Sequence, residues 1–358
     1  MDPWSWVQGM IHAEARKPQV VRIDPDHLTG ARAKANPPLR ADESYFRLSI
    51  SDIWLSHDFE WGSSVHAGVQ SLVRIQAGGE TKTVPAVAGP QTFDLDSRER
   101  RGVATRTQFL TQALPFRGGT IDTQIALLRI PGEDYLKSFM NVLGSFSELV
   151  GAPPLSTALK VATKVTDGLS AFAELGQATL HAGLQEAFTA QGTANELRPG
   201  YVAVIRTDGE SVLANDLWIG QEGDLRTGPR GRDPYTQYDY MVLHYETSRI
   251  RDDWAAIPEI DGPLDAARTQ AKLGKTTKAK QLVDAAIEAV MVSDDLVNEQ
   301  KDRIVETLRE IVRPPRPKSK PGGARGAKGA AKPTTRSPRI RAFPDRHELT
   351  RLAAAREM

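Results

Sequence analysis

The stretch SHDFEWGSSVH, residues 56–66, holds two histidines, an aspartate, a glutamate and a serine pair within eleven positions. These are the residue types of metal ligation, proton transfer and nucleophilic attack. Their spacing argues against most of that chemistry. His57 and His66 lie nine apart, whereas a metal pair of the HExxH kind needs two histidines four apart on one helix face. If a strand starts near Val65, His66 points to its polar face, and His57 sits in the loop before it. Trp61 and Gly62 then supply the turn. The segment reads as a solvated loop between strands. His57, Asp58 and His66 are kept as metal or proton-transfer candidates, because loops often carry function.

A second acidic cluster, FDLDSRERR, spans residues 93–101. Asp94 and Asp96, with Asp52 and Asp58, are carboxylates that a calcium site would draw on. Calcium takes six to eight oxygens, so several loops would have to converge. Arg98, Arg100 and Arg101 follow directly and would neutralise the pair. Asp94 and Asp96 therefore remain candidates only. LGKTT (273–277) imitates a phosphate loop, but the first glycine of that motif would fall on Thr269, and the residues before it read as helix rather than strand. No GxSxG elbow exists, and Ser63-Ser64 has no strand-to-helix turn around it. His181 reads as a helix-surface histidine among Ala and Gly, and His244 as a half-buried sheet histidine alternating with Tyr240 and Val242. With no cysteine in the chain, disulfides, thiol nucleophiles, thiolate zinc sites and iron–sulfur clusters are excluded. No catalytic residue and no cofactor is assigned.

The elements that would position these residues are clearer. The chain has 358 residues, 40% hydrophobic and 25% charged, the balance of a soluble globular protein with room for two or three modest domains. The start lacks the apolar core of a secretory signal, and no run approaches the roughly 20 apolar residues of a spanning helix. A cytoplasmic setting is the expectation, and the abundance of Ala, Arg and Gly favours a bacterial source. Residues 1–42 read as an irregular arm, with Trp4 and Trp6 expected to tuck into a groove on the body in preference to another chain.

Period-2 alternation then dominates. In YFRLSIS, Phe46, Leu48 and Ile50 share one side; in VHAGVQSLVRI, Val65, Ala67, Val69, Val73 and Ile75 do; in TIDTQIALLRI, Ile121, Ile125 and Leu127 do. Turns such as AGGE and RGGT separate them, so antiparallel strands with one wet face are expected. Residues 133–190 read as an inserted helical hairpin rich in small residues, broken at Pro153-Pro154. GYVAVIRT (200–207), SVLANDLWIG (211–220) and YDYMVLHYETS (238–248) return to strand. They are expected to complete the first sheet, since three strands alone are marginal. Residues 259–312 read as a helical module, with Val297, Ile304, Leu308 and Ile311 on one stripe.

Residues 313–341 carry ten Lys/Arg and no acid, with proline and glycine at ten further positions. No core can be built from this composition, so a disordered basic linker is expected. It leads into 342–358, a short terminal helix. Set against a total of +1, those ten cations leave residues 1–312 at −9. The near-neutral sum thus hides an acidic body and a basic tail.

The expected fold class is α+β. An antiparallel β-sandwich-like domain (43–258) carries the helical insertion, followed by a small helical module and a disordered basic tail. The expected role is that of a non-catalytic interaction or adaptor protein of a multi-component bacterial system. Another protein is the expected partner, with nucleic acid or anionic lipid as further candidates through the tail; the oligomeric state is left open. The residues expected to make those contacts are Arg316, Lys318, Lys320, Arg325, Lys328, Lys332, Arg336, Arg339 and Arg341, by counterion release or salt bridging, and Leu349 and Leu352 of the terminal helix. Two alternatives belong to other classes. One is a membrane-acting, pore-forming type of effector released by proteolysis, whose small-residue helices 153–188 would enter a bilayer. The other is a hydrolase or nuclease using the 57–66 cluster.

Overall fold

The structure is a computed structural model of the chain. It describes residues 3–13, 18–29, 36–55, 59–60, 63–77, 79–88, 107–131, 155, 158–159, 179–207, 211–312 and 349. The chain divides into two compact units, residues 1–249 and residues 250–358. The protein is mixed α+β, its sheets antiparallel throughout.

The first unit begins with helix α1 (Pro3–Ala13) and strand β1 (Gln19–Arg22). Next come β2 (Ser44–Trp54), β3 (Phe59–Glu60), β4 (Ser63–Ala77), β5 (Glu80–Ala88), β6 (Gln108–Phe109), β7 (Leu114–Phe116) and β8 (Ile121–Pro131). The unit continues through β9 (Thr179–Phe188), β10 (Gly200–Arg206), β11 (Trp218–Ile219), β12 (Leu225–Thr227), β13 (Asp233–Pro234) and β14 (Asp239–Ser248). One sheet has the order β1-β10-β14-β2-β6, with β7 also paired to β2. A second has the order β3-β4-β8-β9, with β5 paired to β4; β11-β12-β13 form a small third sheet.

One apolar cluster draws on both large sheets: Phe46, Leu48 and Ile50 of β2, Val202 and Val204 of β10, and Met241 and Leu243 of β14 join Val69 and Val73 of β4 and Ile125 and Leu127 of β8. Period-2 alternation puts these residues on the inner faces. The outer faces are covered as well. Tyr201, Ala203, Ile205, Tyr240 and Val242 pack with Leu217, Ile219 and Leu225 around the small sheet. Leu72, Ala126 and Leu128 pack with Trp4 and Val7 of α1. Covering on both faces explains why GYVAVIR is an unbroken apolar run, where a half-exposed strand would alternate.

Residues 200–206 and 239–248 share a sheet with residues 44–54, as expected from the marginal stability of three strands alone: β10 pairs with β14, and β14 with β2. Three expectations are corrected. The N-terminal arm is not irregular throughout, since it forms α1 and β1. Trp4, Val7 and Ile11 recur at helical spacing, and Pro3 opens the helix. Trp4 docks within the chain: the Arg74 guanidinium lies over its ring at 3.9 Å. In its satisfied orientation, the Gln124 amide accepts from the Trp4 indole N–H and donates to the Trp4 carbonyl, both at 3.1 Å. At Gly183 an added Cβ would lie 2.6 Å from Ile11 Cγ1, so this glycine admits α1 close to β9.

The second correction concerns the helical insertion. Most of residues 133–178 lies outside the described residues, with helical Leu155 and Ala158 buried in the main cluster. Residues 179–188, however, are strand β9, paired with β8 from Ile121↔Phe188 to Arg129↔Thr179. Ala182, Leu184 and Phe188 face the core at period two, a rhythm masked by the small residues around them. Third, residues 211–217 are not strand. Ala214–Asp216 form a 3-10 turn, and only Trp218–Ile219 pair.

The second unit contains α2 (Pro258–Lys272), α3 (Thr276–Val292) and α4 (Asn298–Val312). Ile260, Leu264 and Ala267 of α2, Val283, Ala286 and Val290 of α3, and Ile304, Val305 and Leu308 of α4 form one core. Their i, i+3/i+4 spacing gives each helix one apolar stripe. Gly274, at φ +72°, ends α2 in the left-handed conformation that glycine adopts most readily. The unit starts earlier than the helical module read from sequence, because Trp254, Ala255 and Ile257 belong to the same core. The basic linker 313–341 lies outside the described residues.

Arg251 pins the start of this unit. Its side chain is fully buried, with Nε 2.7 Å from Asp253 Oδ1 and Nη1 2.8 Å from Asp295 Oδ1. Gln300 accepts from the Arg251 N–H at 3.0 Å and donates to its carbonyl at 2.9 Å. Asp295 is itself 1% exposed. Arg251→Met therefore strands a buried carboxylate and is expected to cost the helical unit about 3–5 kcal/mol. Urea denaturation followed by helical circular dichroism measures it; a loss below about 1 kcal/mol would show that water reaches Asp295 and replaces the guanidinium.

Candidate functional site

The best-defined site among the described residues arises from a register shift. On β14, Val242 lies opposite Asp52, and the next residue, Leu243, lies opposite Ile50. Ser51 is thus the extra residue of a β-bulge in β2. Such bulges re-aim side chains and are enriched beside functional sites. Here the bulge keeps both Ile50 and Ile53 in the inner cluster and turns Ser51 and Asp52 outward. The Ser51 hydroxyl donates to the Gly223 carbonyl at 2.8 Å. Asp52 Oδ2 accepts from the Tyr240 hydroxyl at 2.7 Å and from the Leu225 N–H at 2.9 Å. A strand bulge, a neighbouring strand and the β11–β12 turn thus meet at one carboxyl group.

Asp52, Thr29, Gln221, Glu222, Asp224, Arg226 and Gly231 line a cavity of about 570 Å³. Arg226 shapes its wall, donating from Nε to Asp224 Oδ2 at 2.7 Å and from Nη1 to the Arg232 carbonyl at 3.0 Å. At Gly220 an added Cβ would fall 2.0 Å from Asp224 Oδ1, so the tight turn depends on that glycine. His27 stacks on Trp218 at 4.2 Å nearby on the small sheet.

Asp52 is only 4% exposed. Burial pushes its carboxyl up to about 6, with Asp224 adding to the rise, although the hydrogen bonds from Leu225 and Tyr240 oppose it. Burial likewise pushes the Tyr240 hydroxyl well above its ordinary range, with the Asp52 charge adding to the effect. Tyr240 therefore remains a donor, and Asp52 is the group at the cavity that changes protonation near neutral pH. Such a carboxyl can take up or release a proton; the hydroxyl among the lining residues, that of Thr29, donates to the Ile219 carbonyl at 3.0 Å.

Most residues singled out by sequence are not described. His57, Asp58, Asp94 and Asp96 lie outside the described residues, as does the side chain of His66, whose backbone sits on β4 opposite Ile130. Among the described residues, no group of three or more His, Asp or Glu is placed to hold a metal ion. Asp52, grouped by sequence with calcium carboxylates, instead has Tyr240 and Leu225 as its partners.

His181 is not on a helix surface. It is the extra residue of a bulge in β9, where Leu127 lies opposite Ala182 and Leu128 opposite Leu180. Its Nε2 is 2.7 Å from Asp239 Oδ2, and its Nδ1 is 2.7 Å from Arg206 Nη1. Arginine can only donate, so Nδ1 accepts and the ring proton is assigned to Nε2, facing Asp239. A histidine of the second sheet thus clamps two strands of the first. His244 is half-buried on β14, stacked on Tyr201 at 4.0 Å.

In the tail, Arg316, Lys318, Lys320, Arg325, Lys328, Lys332, Arg336, Arg339, Arg341 and Leu352 lie outside the described residues. Leu349 is described. It is helical, fully buried, and part of the same apolar cluster as Ile260, Leu264, Val283 and Leu308. No helix among the described residues is long and apolar enough to cross a membrane.

The Asp52 carboxyl sets a pH dependence. Its folded value lies above its ordinary 3.8, so the native state favours the protonated form. The resulting stability is complete below pH 3.8 and is lost as pH rises through about 6. Two units correspond to roughly 3 kcal/mol. Asp52→Asn keeps an oxygen acceptor for both donors and carries no charge, so the fall in stability between pH 4 and 7 is expected to shrink by about 2–3 kcal/mol. Urea midpoints at pH 4, 5.5 and 7 measure it; identical slopes in both proteins would remove Asp52 as the titrating group.

Comparison of the chain with protein-family models, with curated proteins and with solved structures finds no match.

Proposed function

We propose that this chain is a non-catalytic interaction protein of the adaptor type, in which the helical unit and the chain-end segment around Leu349 form the docking device. The observation that supports this reading is the complete burial of Leu349 in the core of α2, α3 and α4. Its nearest described neighbour in the sequence is Val312, 36 positions before the intervening residues end at 348. A leucine delivered from so far along the chain acts as the anchor of a separate ligand, in the manner of a helix laid into an apolar groove.

Charge favours a protein as the partner. Residues 250–312 hold thirteen acidic and nine basic side chains, against the ten cations of 313–341. Ten cations in the same chain as a helical unit of net charge −4 need no polyanion to have a use, and binding of nucleic acid or anionic lipid through 313–341 is the secondary expectation. The membrane-acting reading loses part of its helical segment to β9, and the 57–66 cluster contributes no described side chain.

The docking is testable in the whole chain. A protease site is placed between Gly326 and Gly329, the protein is cut, and size-exclusion chromatography follows the released piece. The piece is expected to co-elute with the body and to be lost in Leu349→Asp. Departure of the wild-type piece at micromolar concentration would remove the docking reading.

A further inference from the structure

The cavity beside Asp52 belongs to the first unit and is independent of the docking reading above. We propose that it is a binding site for a small organic cation with N–H donors, an alkylammonium or a guanidinium, held between the carboxylates of Asp52 and Glu222.

Three observations carry this. First, the space is of the right size. A cavity of about 570 Å³ falls within the roughly 300–1,000 Å³ range of small-molecule sites.

Second, Asp52 is a buried carboxyl that opens on this space and has no cation of its own. It is 4% exposed, yet it lines the cavity. The β2 bulge and two donors fix its position: the Tyr240 hydroxyl and the Leu225 N–H both bond to Oδ2. The adjacent Ile53 N–H is a further contact of the carboxyl. Neither donor from another element falls on Oδ1, and none of the three is charged. A buried carboxylate is costly unless an opposite charge joins it. A cation entering the cavity supplies that charge to a group already held in place.

Third, the rest of the lining accepts more than it donates. Its described residues hold three carboxyl groups, Asp52, Glu222 and Asp224, against one guanidinium, so the sum with all ionised is −3 + 1 = −2. Arg226 turns Nε to Asp224 and Nη1 to the carbonyls of Gly231 and Arg232. The Thr29 hydroxyl gives its proton to the Ile219 carbonyl, so it meets a ligand as an acceptor. Glu222 is exposed at the β11–β12 turn. Among the described residues no group of three or more His, Asp or Glu is placed to hold a metal ion. The complement of such a lining is an organic cation that brings its own N–H groups; an anion of the same size meets like charge.

The probe is n-butylammonium, titrated against the full-length chain at pH 7 and followed by its proton NMR signals. A ligand of five heavy atoms is expected to bind with a dissociation constant on the order of millimolar. Butyltrimethylammonium has the same charge and no N–H, and 1-butanol has no charge; each is expected to bind at least about tenfold more weakly. Asp52→Asn is expected to cost at least about tenfold. The groups facing Asp52 are Tyr240 of β14, which stays protonated, and Glu222, Asp224 and Arg226 of the small sheet. Burial pushes the Asp52 carboxyl up to about 6, so affinity in the wild-type chain is expected to fall about tenfold from pH 7 to pH 5. No saturable binding at about ten times the expected constant, or equal binding of butyltrimethylammonium, overturns the proposal. So does an Asp52→Asn chain of unchanged affinity. If Asp52→Asn alters the near-ultraviolet circular dichroism, Glu222→Gln replaces it, with an expected loss of about 3- to 10-fold; unchanged affinity there, or a flat pH profile in the wild type, has the same meaning.

Discussion

A single extra residue in β2 decides what the first sheet presents on each of its faces. Strand alternation carried straight through from Ile50 would send Asp52 into the apolar cluster between the sheets and Ile53 out of it. A carboxyl group there would enter the apolar cluster to which Leu243, Val204 and Leu127 belong, a costly place for a charge. The bulge at Ser51 resets the parity. Ile53 rejoins the core, and Asp52 turns to Tyr240 and to the Leu225 N–H. The small sheet β11-β12-β13 is held at that point, because two of its backbone groups, Leu225 N–H and Gly223 C=O, bond to the two residues the bulge turned outward. The cavity beside Asp52 follows from this one irregularity.

The same device recurs at His181. A bulge in β9 frees a histidine from alternation, and that histidine bridges to Asp239 and Arg206 on the other large sheet. In both places the polar group is buried where two elements join and meets strong partners there. This is the condition under which burying it is tolerable. Arg251 applies the same logic in the helical unit, with two carboxylates around its guanidinium and the Gln300 amide on its backbone N–H and carbonyl. They differ in what pH does to them. The Arg251 cluster holds opposite charges together. At Asp52 the partners are a hydroxyl and a peptide N–H, which soften but do not reverse the cost of burying its charge.

What could be read from sequence followed the range of the interactions. Alternation in residues 45–51, 65–75 and 120–130 gave strands, because burial of one inner face is a local signal. The return of residues 200–206 and 239–248 to the first sheet followed from a different argument, the marginal stability of three strands alone. The stripes of α2, α3 and α4 were equally local. Helix α1 was missed because it is only eleven residues long and includes Gly9, which weakens the helical signal. Its support comes from Gln124 and Arg74, more than sixty positions away. Strand β9 was missed because Ala182 and Gly183 dilute the alternation of Leu184 and Phe188 among residues that also suit close-packed helices. The Asp52 site was out of reach for the same reason: its partners lie 173 and 188 positions away, and a bulge breaks the very parity used to place it. Asp52 was noticed for its charge, but no local pattern could pair it with a tyrosine.

The division of labour in the tail also follows from range. At physiological ionic strength the attraction between exposed charges fades over about 8 Å. The ten cations of 313–341 therefore cannot hold the chain end to an acidic surface from a distance, and each exposed pair adds at most about 1 kcal/mol. A leucine withdrawn fully from water contributes about 1.5–3 kcal/mol in a single contact and fixes one location, which diffuse charge cannot do. Under the docking proposal, Leu349 is the contact that would specify where the tail binds, and the cations would contribute to the rate of encounter.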